Sequence, residues 1–184
     1  MSPGSVSADG VLAGTTQVPS PNCDERPEGA TVTLLVVHNI SLPPGEFGGD
    51  GVLRLFTNTL DFTAHPFYET LRGIEVSAHF FIGRGGDLIQ FVPCAKRAWH
   101  AGVSSWNKLE RCNDFSVGVE IEGTDELPYT EQQYGRLAEM TAALRRRYPI
   151  RDVVGHADIA PGRKADPGPA FDWTRFRTLV CRAA

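Results

Sequence analysis

The first thirty or so residues show no apolar period. They are rich in Ser, Gly, Pro and Asp, and the first regular signal is "TVTLLVVH", residues 31–38. This run is short, continuous and β-branched, the pattern of a strand buried on both faces. It passes into "NISLPPGEFGGDG" (39–51), a Pro/Gly-rich loop. In "DGVLRLFTNTLD" (50–61) the spacing predicts a short helix, with Asp50 as N-cap and Leu53, Phe56 and Leu60 on one face. "EVSAHFFIG" and "DLIQFVP", joined by "RGG", predict a β-hairpin whose glycines supply the positive φ of the turn. "FSVGVEIEG" (115–123) alternates, with Val117, Val119 and Ile121 on one face and Glu120 and Glu122 on the other.

The clearest helix is "TEQQYGRLAEMTAALRRRYP" (130–149). Thr130 and Gln133 fit a capping box. Tyr134, Leu137, Thr141, Leu144 and Tyr148 form one stripe, and Arg145, Arg146 and Arg147 suit the negative C-terminal end of the helix dipole. "FDWTRFRTLV" (171–180) closes the chain as a second helix, capped by Asp172, with Trp173, Phe176 and Val180 facing inward. Strands and helices interleave without strict alternation and without an internal repeat. The fold class expected is α/β (α+β), a central mixed β-sheet flanked by helices. Residues 1–18 read as a flexible N-terminal arm and 19–184 as a single domain.

Composition narrows the function classes. Of 184 residues, 41% are apolar and 22% charged, and the formal net charge is −4. With no basic excess to neutralise phosphates, a nucleic-acid partner is not expected. There is no apolar run long enough to span a bilayer, so no membrane partner is expected. "MSPGSVSADGVLAGTTQ" lacks the basic start and apolar centre of an export signal. Cys23, Cys94, Cys112 and Cys181 are scattered, which reads as free thiols in a reducing cytoplasm.

Candidate chemistry rests on a few positions. Of the histidines His38, His65, His79, His100 and His156, two end short apolar runs: His38 after "TLLVV" and His156 after "DVVG". Strand ends beside irregular loops are where α/β sheets build sites. Asp166 lies ten residues after His156, in "PGRKADPGPAF". Two imidazoles and a carboxylate would leave a zinc ion one open position for water, although the spacing matches no local motif such as H-E-x-x-H. Glu120 is a general-base candidate if its strand face lines a cleft, and otherwise a solvated carboxylate like Glu122. Lys164 is either a loop lysine in water or a cation placed for an oxyanion. Trp99 in "KRAWHAG" is core filler or a sugar-stacking platform. Arg111 either clamps a ligand carboxylate or pairs with Asp114. "PPGEFGG" has the composition of a static turn or a lid.

Together "LLVVHNISLPPGEFGG", "VSAHF", "KRAWHAGVSS", "RCNDFSVGVEIEGTD", "YTEQQY" and "GHADIAPGRKADPGPAFDW" resemble the zinc-dependent N-acetylmuramoyl-L-alanine amidase family, in its cytoplasmic 1,6-anhydromuropeptide branch. The resemblance runs from about Pro19 to about Val180. It implies a peptidoglycan-recognition-protein-like fold and Zn2+ held by His38, His156 and Asp166. It also implies Glu120 and Lys164 as catalytic residues, and Asn39, Trp99 and Arg111 as contacts to the muramyl sugar and stem peptide. The implied reaction is hydrolysis of the amide between the lactyl group of 1,6-anhydro-N-acetylmuramic acid and L-Ala. That places the protein, as a cytoplasmic monomer, in cell-wall recycling and upstream of β-lactamase induction. The alternatives are a broad-specificity envelope amidase and a non-catalytic peptidoglycan-binding module. One departure concerns Glu75, where some relatives carry a basic residue; it bears on the far end of the stem peptide.

Overall fold

Two seven-residue strands form the centre of the molecule. The structure, a computed structural model, describes residues 4–183. In chain order its elements are β1 (Thr16–Gln17), β2 (Cys23–Glu25), β3 (Leu34–Ile40), α1 (Gly51–Phe56), α2 (Pro66–Glu69), β4 (Phe80–Ile82), β5 (Leu88–Gln90), β6 (Lys96–Ala98), β7 (Ser105–Trp106), β8 (Leu109–Glu110), β9 (Ser116–Glu122), α3 (Glu131–Arg147), β10 (Asp152–Gly155), α4 (His156–Ile159) and α5 (Trp173–Ala183). Among the described residues, six strands make one sheet in the order β1-β5-β4-β9-β3-β10. Only β4 and β5 run antiparallel; the other neighbours in that sheet are parallel. This is the mixed sheet expected from the interleaved elements.

Period-two alternation assigns the faces. Leu35 and Val37 of β3 and Val117, Val119 and Ile121 of β9 join one core with Leu137 and Leu144 of α3 and Phe176 and Val180 of α5. The caps of α3 and α5 are those predicted. Thr130 Oγ1 accepts from the Gln133 N–H at 3.2 Å, and Gln133 Oε1 accepts from the Thr130 N–H at 3.0 Å. Asp172 Oδ1 accepts from the Arg175 N–H at 2.9 Å. On the opposite face, Val52, Leu55, Phe56 and Tyr68 of α1 and α2 pack with Phe81 and Phe91. No helix of the described residues is long and apolar enough to cross a membrane, and all four cysteines are free thiols.

Several expectations need correction. The first helix stops at Phe56 rather than Asp61: the Thr57 hydroxyl donates to the Leu53 carbonyl, and Asn58 takes a left-handed φ of 57°. Asp50 does not cap it by side chain but accepts from Arg54 Nε at 2.6 Å. In the hairpin turn only Gly86, at φ +85°, takes the left-handed conformation. The segment 1–18 was expected to be a flexible arm. Residues 1–3 lie outside the described residues, and parts of the segment from Gly4 to Gln17 pack on the sheet while Ala8, Asp9 and Gly14 are exposed. Leu12 is buried in the core, its N–H donates to Gln90 Oε1 at 2.9 Å, and β1 adds a strand beside β5. Val6, Val11 and Leu12, scattered among small and polar residues, carry too weak a period to announce this.

Glu122 is the sharpest difference. Expected in solvent, it is only 5% exposed. Its two oxygens accept from the Gly48 N–H at 2.6 Å and the Arg84 N–H at 2.9 Å. It therefore ties the Pro/Gly loop to the β4–β5 turn, which satisfies a buried carboxylate without a cation.

Candidate metal centre and active site

The site forms where β3, β9 and β10 end. In register, His38 lies opposite Glu120, and Gly155 lies opposite Val37, so His156 emerges beside His38. This is the C-terminal edge of parallel strands, where such sheets carry their sites. His38 Nδ1 and His156 Nδ1 are 2.9 Å apart, and Asp166 Oδ2 lies 3.1 Å from the first and 3.0 Å from the second. Both histidines are buried and Asp166 is half-buried. Tetrahedral zinc, with bonds of about 2.0–2.2 Å, spaces its ligand atoms about 3.3 Å apart. The triangle found here is of that size, and His, His and Asp form a donor set of the zinc type, so the residues fit such an ion.

Proton placement agrees. A carbonyl only accepts, so the Ala101 oxygen, 3.1 Å from His156 Nε2, holds the ring proton there and leaves Nδ1 as a lone pair. Burial, with the adjacent Asp166 opposing, lowers the His38 pKa to about 4. Burial tends to raise the Asp166 pKa, but the adjacent His156 and His38 rings outweigh it and hold the carboxyl below the usual range. A neutral imidazole and an ionised carboxylate are the forms that ligate metals.

Glu120 comes from the same strand ends. Its Oε2 is buried with no hydrogen-bond partner among the described residues. Burial first, then the charge of Asp166, push its pKa well above the carboxylate range, with Lys164 opposing. Glu120, Lys164, Asn39 and Trp99 join His38, His156 and Asp166 around one cavity of about 300 Å³. Leu55 and Phe56 of α1, with Leu71, Ile74 and Val76, add an apolar lining. Asn39 Nδ2 donates to Asp125 Oδ1 at 2.7 Å, which orients the amide.

Arg111 is not brought into this cavity. It lines a separate surface depression with Glu110 and Arg163, and its Nε is 3.2 Å from Asp114 Oδ2. Glu75 is exposed, between the cavity-lining Ile74 and Val76. His100 also lines the cavity, its Nδ1 2.9 Å from His38 Nε2. Its neighbour Trp99 in "KRAWHAG" was the only sequence signal near it.

The turn bearing Lys164 and Asp166 is held at several points. The Asp166 carbonyl accepts from the Ala157 N–H at 2.9 Å, and the Lys164 N–H donates to the Ala160 carbonyl at 3.1 Å. The Tyr129 hydroxyl donates to the Pro167 carbonyl at 2.8 Å. Gly168 has φ +78°, and a Cβ there would lie 2.3 Å from Asp125 Cα. Only glycine allows this turn to press against the segment that follows β9.

The sequence profile of the N-acetylmuramoyl-L-alanine amidases matches residues 28–169. The chain belongs to that family. It is thus an amide hydrolase. It is 58% identical over 175 residues to the 1,6-anhydro-N-acetylmuramyl-L-alanine amidase AmpD of Escherichia coli, covering 94% of this chain and 96% of that protein. A crystal structure of a selenomethionine AmpD derivative matches with a TM-score of 0.92 at 57% identity, covering 94% of this chain and 97% of that one. The amidase AmiD of Escherichia coli, solved with anhydro-N-acetylmuramic acid-L-Ala-D-gamma-Glu-L-Lys, matches with a TM-score of 0.60 at 28% identity, covering 84% of this chain and 60% of that one. The amidase fold expected from the sequence is therefore the fold found.

Proposed function

We propose that this amidase cleaves the lactyl–L-Ala amide of 1,6-anhydro-muropeptides, with zinc held by His38 Nδ1, His156 Nδ1 and Asp166. The observation that carries the mechanism is the partnerless Oε2 of Glu120 in the cavity of the His–His–Asp triangle. A buried carboxylate without a hydrogen-bond donor is a proton acceptor in waiting. Zinc in such a site lowers the pKa of water towards about 7 and polarises a carbonyl. Glu120 Oε2 takes the proton of the attacking water, keeps it while its raised pKa favours the neutral acid, and delivers it to the leaving nitrogen. Lys164 Nζ faces the carbonyl oxygen as negative charge develops there; losing one such donor lowers the rate about 100- to 1000-fold.

Trp99 and the apolar lining seat the sugar, and Asn39, oriented by Asp125, contacts its polar groups. Arg111 would meet only a distal part of the stem peptide. The printed activity of the 58%-identical Escherichia coli relative supports the anhydro-sugar specificity. A cytoplasmic place in cell-wall recycling, as a monomer and upstream of β-lactamase induction, is part of the same proposal.

Two measurements test this reading. Glu120→Ala and Lys164→Ala proteins that retain one zinc are expected to lose turnover; near-wild-type rates would remove both residues from the mechanism. Anhydro- and reducing-end muropeptides offered side by side should differ strongly in kcat/KM, and equal rates would point to a broad-specificity envelope enzyme.

A further inference from the structure

His100 lies between His38 of β3 and Ser116 of β9. Its Nδ1 is 2.9 Å from His38 Nε2, and its Nε2 is 3.1 Å from the Ser116 hydroxyl oxygen. The His38 and His100 rings meet edge to face, at 81° with centroids 5.0 Å apart. The backbone beneath is fixed, because Asn113 Oδ1 accepts from the N–H groups of both His100 and Ala101, at 3.2 and 2.8 Å. Gly118 makes the room: a Cβ there would lie 2.4 Å from His100 Cγ. Beyond it, the Gly118 N–H donates to His79 Nδ1 at 3.0 Å, and the His79 ring stacks edge-on against His100 at 5.8 Å. Strand β9, whose Glu120 faces the cavity, thus supplies Ser116 and Gly118 to seat this ring.

Each neutral imidazole has one donor and one acceptor nitrogen, so the row His38–His100–Ser116 has two consistent settings. In one, His38 Nε2–H donates to His100 Nδ1, and His100 Nε2–H donates to Ser116 Oγ. In the other, every proton is reversed, and His38 carries its proton on Nδ1, toward His156 and Asp166. Only the first leaves His38 Nδ1 free to ligate. We infer that His100 is a positioning residue for the metal centre. Seated by Ser116 and Gly118, its Nδ1 accepts the Nε2 proton of His38, which fixes the tautomer and the ring plane through which His38 meets the metal. Such partners of ligating histidines typically change metal affinity by about 10- to 100-fold. The inference rests on the proposed metal role of His38.

The test is zinc affinity of the full chain, measured by chelator competition, for wild type and His100→Ala, His100→Asn and Ser116→Ala. It is paired with 15N-histidine NMR of each zinc-loaded protein. Asn presents an oxygen near the place of Nδ1 and keeps an acceptor for His38. His100→Ala is expected to bind zinc about 10- to 100-fold more weakly and to lose the slowly exchanging His38 Nε2–H signal. His100→Asn should recover most of both, and Ser116→Ala should fall between Ala and wild type. If His100→Ala keeps wild-type affinity and the Nε2–H signal, or if Asn and Ala weaken binding equally, the inference is overturned while the metal site stands. Wild type that binds no zinc, or binds it unchanged after His38→Ala, overturns the metal reading as well.

Discussion

The two faces of β9 share the same alternation and nearly the same burial, yet they do opposite work. On one face Val117, Val119 and Ile121 are sealed against α3 and α5. On the other, Ser116, Gly118, Glu120 and Glu122 are also turned inward, each with a separate assignment. Ser116 meets His100, Gly118 yields space to it, Glu120 faces the cavity, and Glu122 holds two backbone N–H groups. Alternation of polarity therefore marks the two faces of a strand, but not which of them meets water. The apolar face contributes stability by area, which any residue of similar shape supplies. The polar face contributes single atoms at single places.

The largest expected effect tests that division at Glu120. Glu120→Gln should lower kcat about 100- to 10,000-fold with zinc content unchanged. Stability of the metal-free protein should move the other way. Burial raises the folded pKa of Glu120 above its unfolded value. The stability that goes with its neutral form is fully present below the ordinary carboxyl pKa and is lost as pH rises through the folded value. Glu120→Gln should therefore melt higher than wild type at neutral pH, by about 2–4 °C per kcal/mol recovered, and the gain should shrink on acidification. A variant that melts lower than wild type at neutral pH would show that the carboxylate is not an unsatisfied charge.

One residue along, the balance reverses. Ile121→Ala should lose about 2–5 kcal/mol in denaturant unfolding, while the folded fraction keeps its kcat; a selective loss of kcat would blur the two faces. Glu122→Gln comes next. The amide retains one acceptor and sets an NH2 against a backbone donor, with an expected loss of about 1.5–3 kcal/mol. Amide exchange should speed up at Gly48 and Arg84 specifically. The smallest effect is one step removed from the strand, at the cap of the helix that covers its apolar face. Thr130→Ala should lose about 0.5–2 kcal/mol and leave turnover alone.

Much of this was legible in the residues. The helix stripe from Tyr134 to Leu144, the Thr130–Gln133 box and the Asp172 cap are local signals, and each appears as expected. Leu34–Val37 announced a strand buried on both faces, and it is one. The ends of elements were less legible. Helix α1 stops early because Thr57 and Asn58 turn the backbone, and Leu12 joins the core through a side-chain partner, Gln90, that lies 78 positions away.

By itself, the sequence determined which side chains alternate, which segments can be helix or strand, and, through long family motifs, which reaction class the chain serves. These are properties of neighbours, written within a few residues of one another. The tertiary structure alone decided that Glu122 is a buried anchor, that Arg111 stands outside the cavity, and that His38 rests on His100. Each of these depends on which strand lies beside which and in what register. Register is set by the whole buried face at once, so no local stretch of residues encodes it.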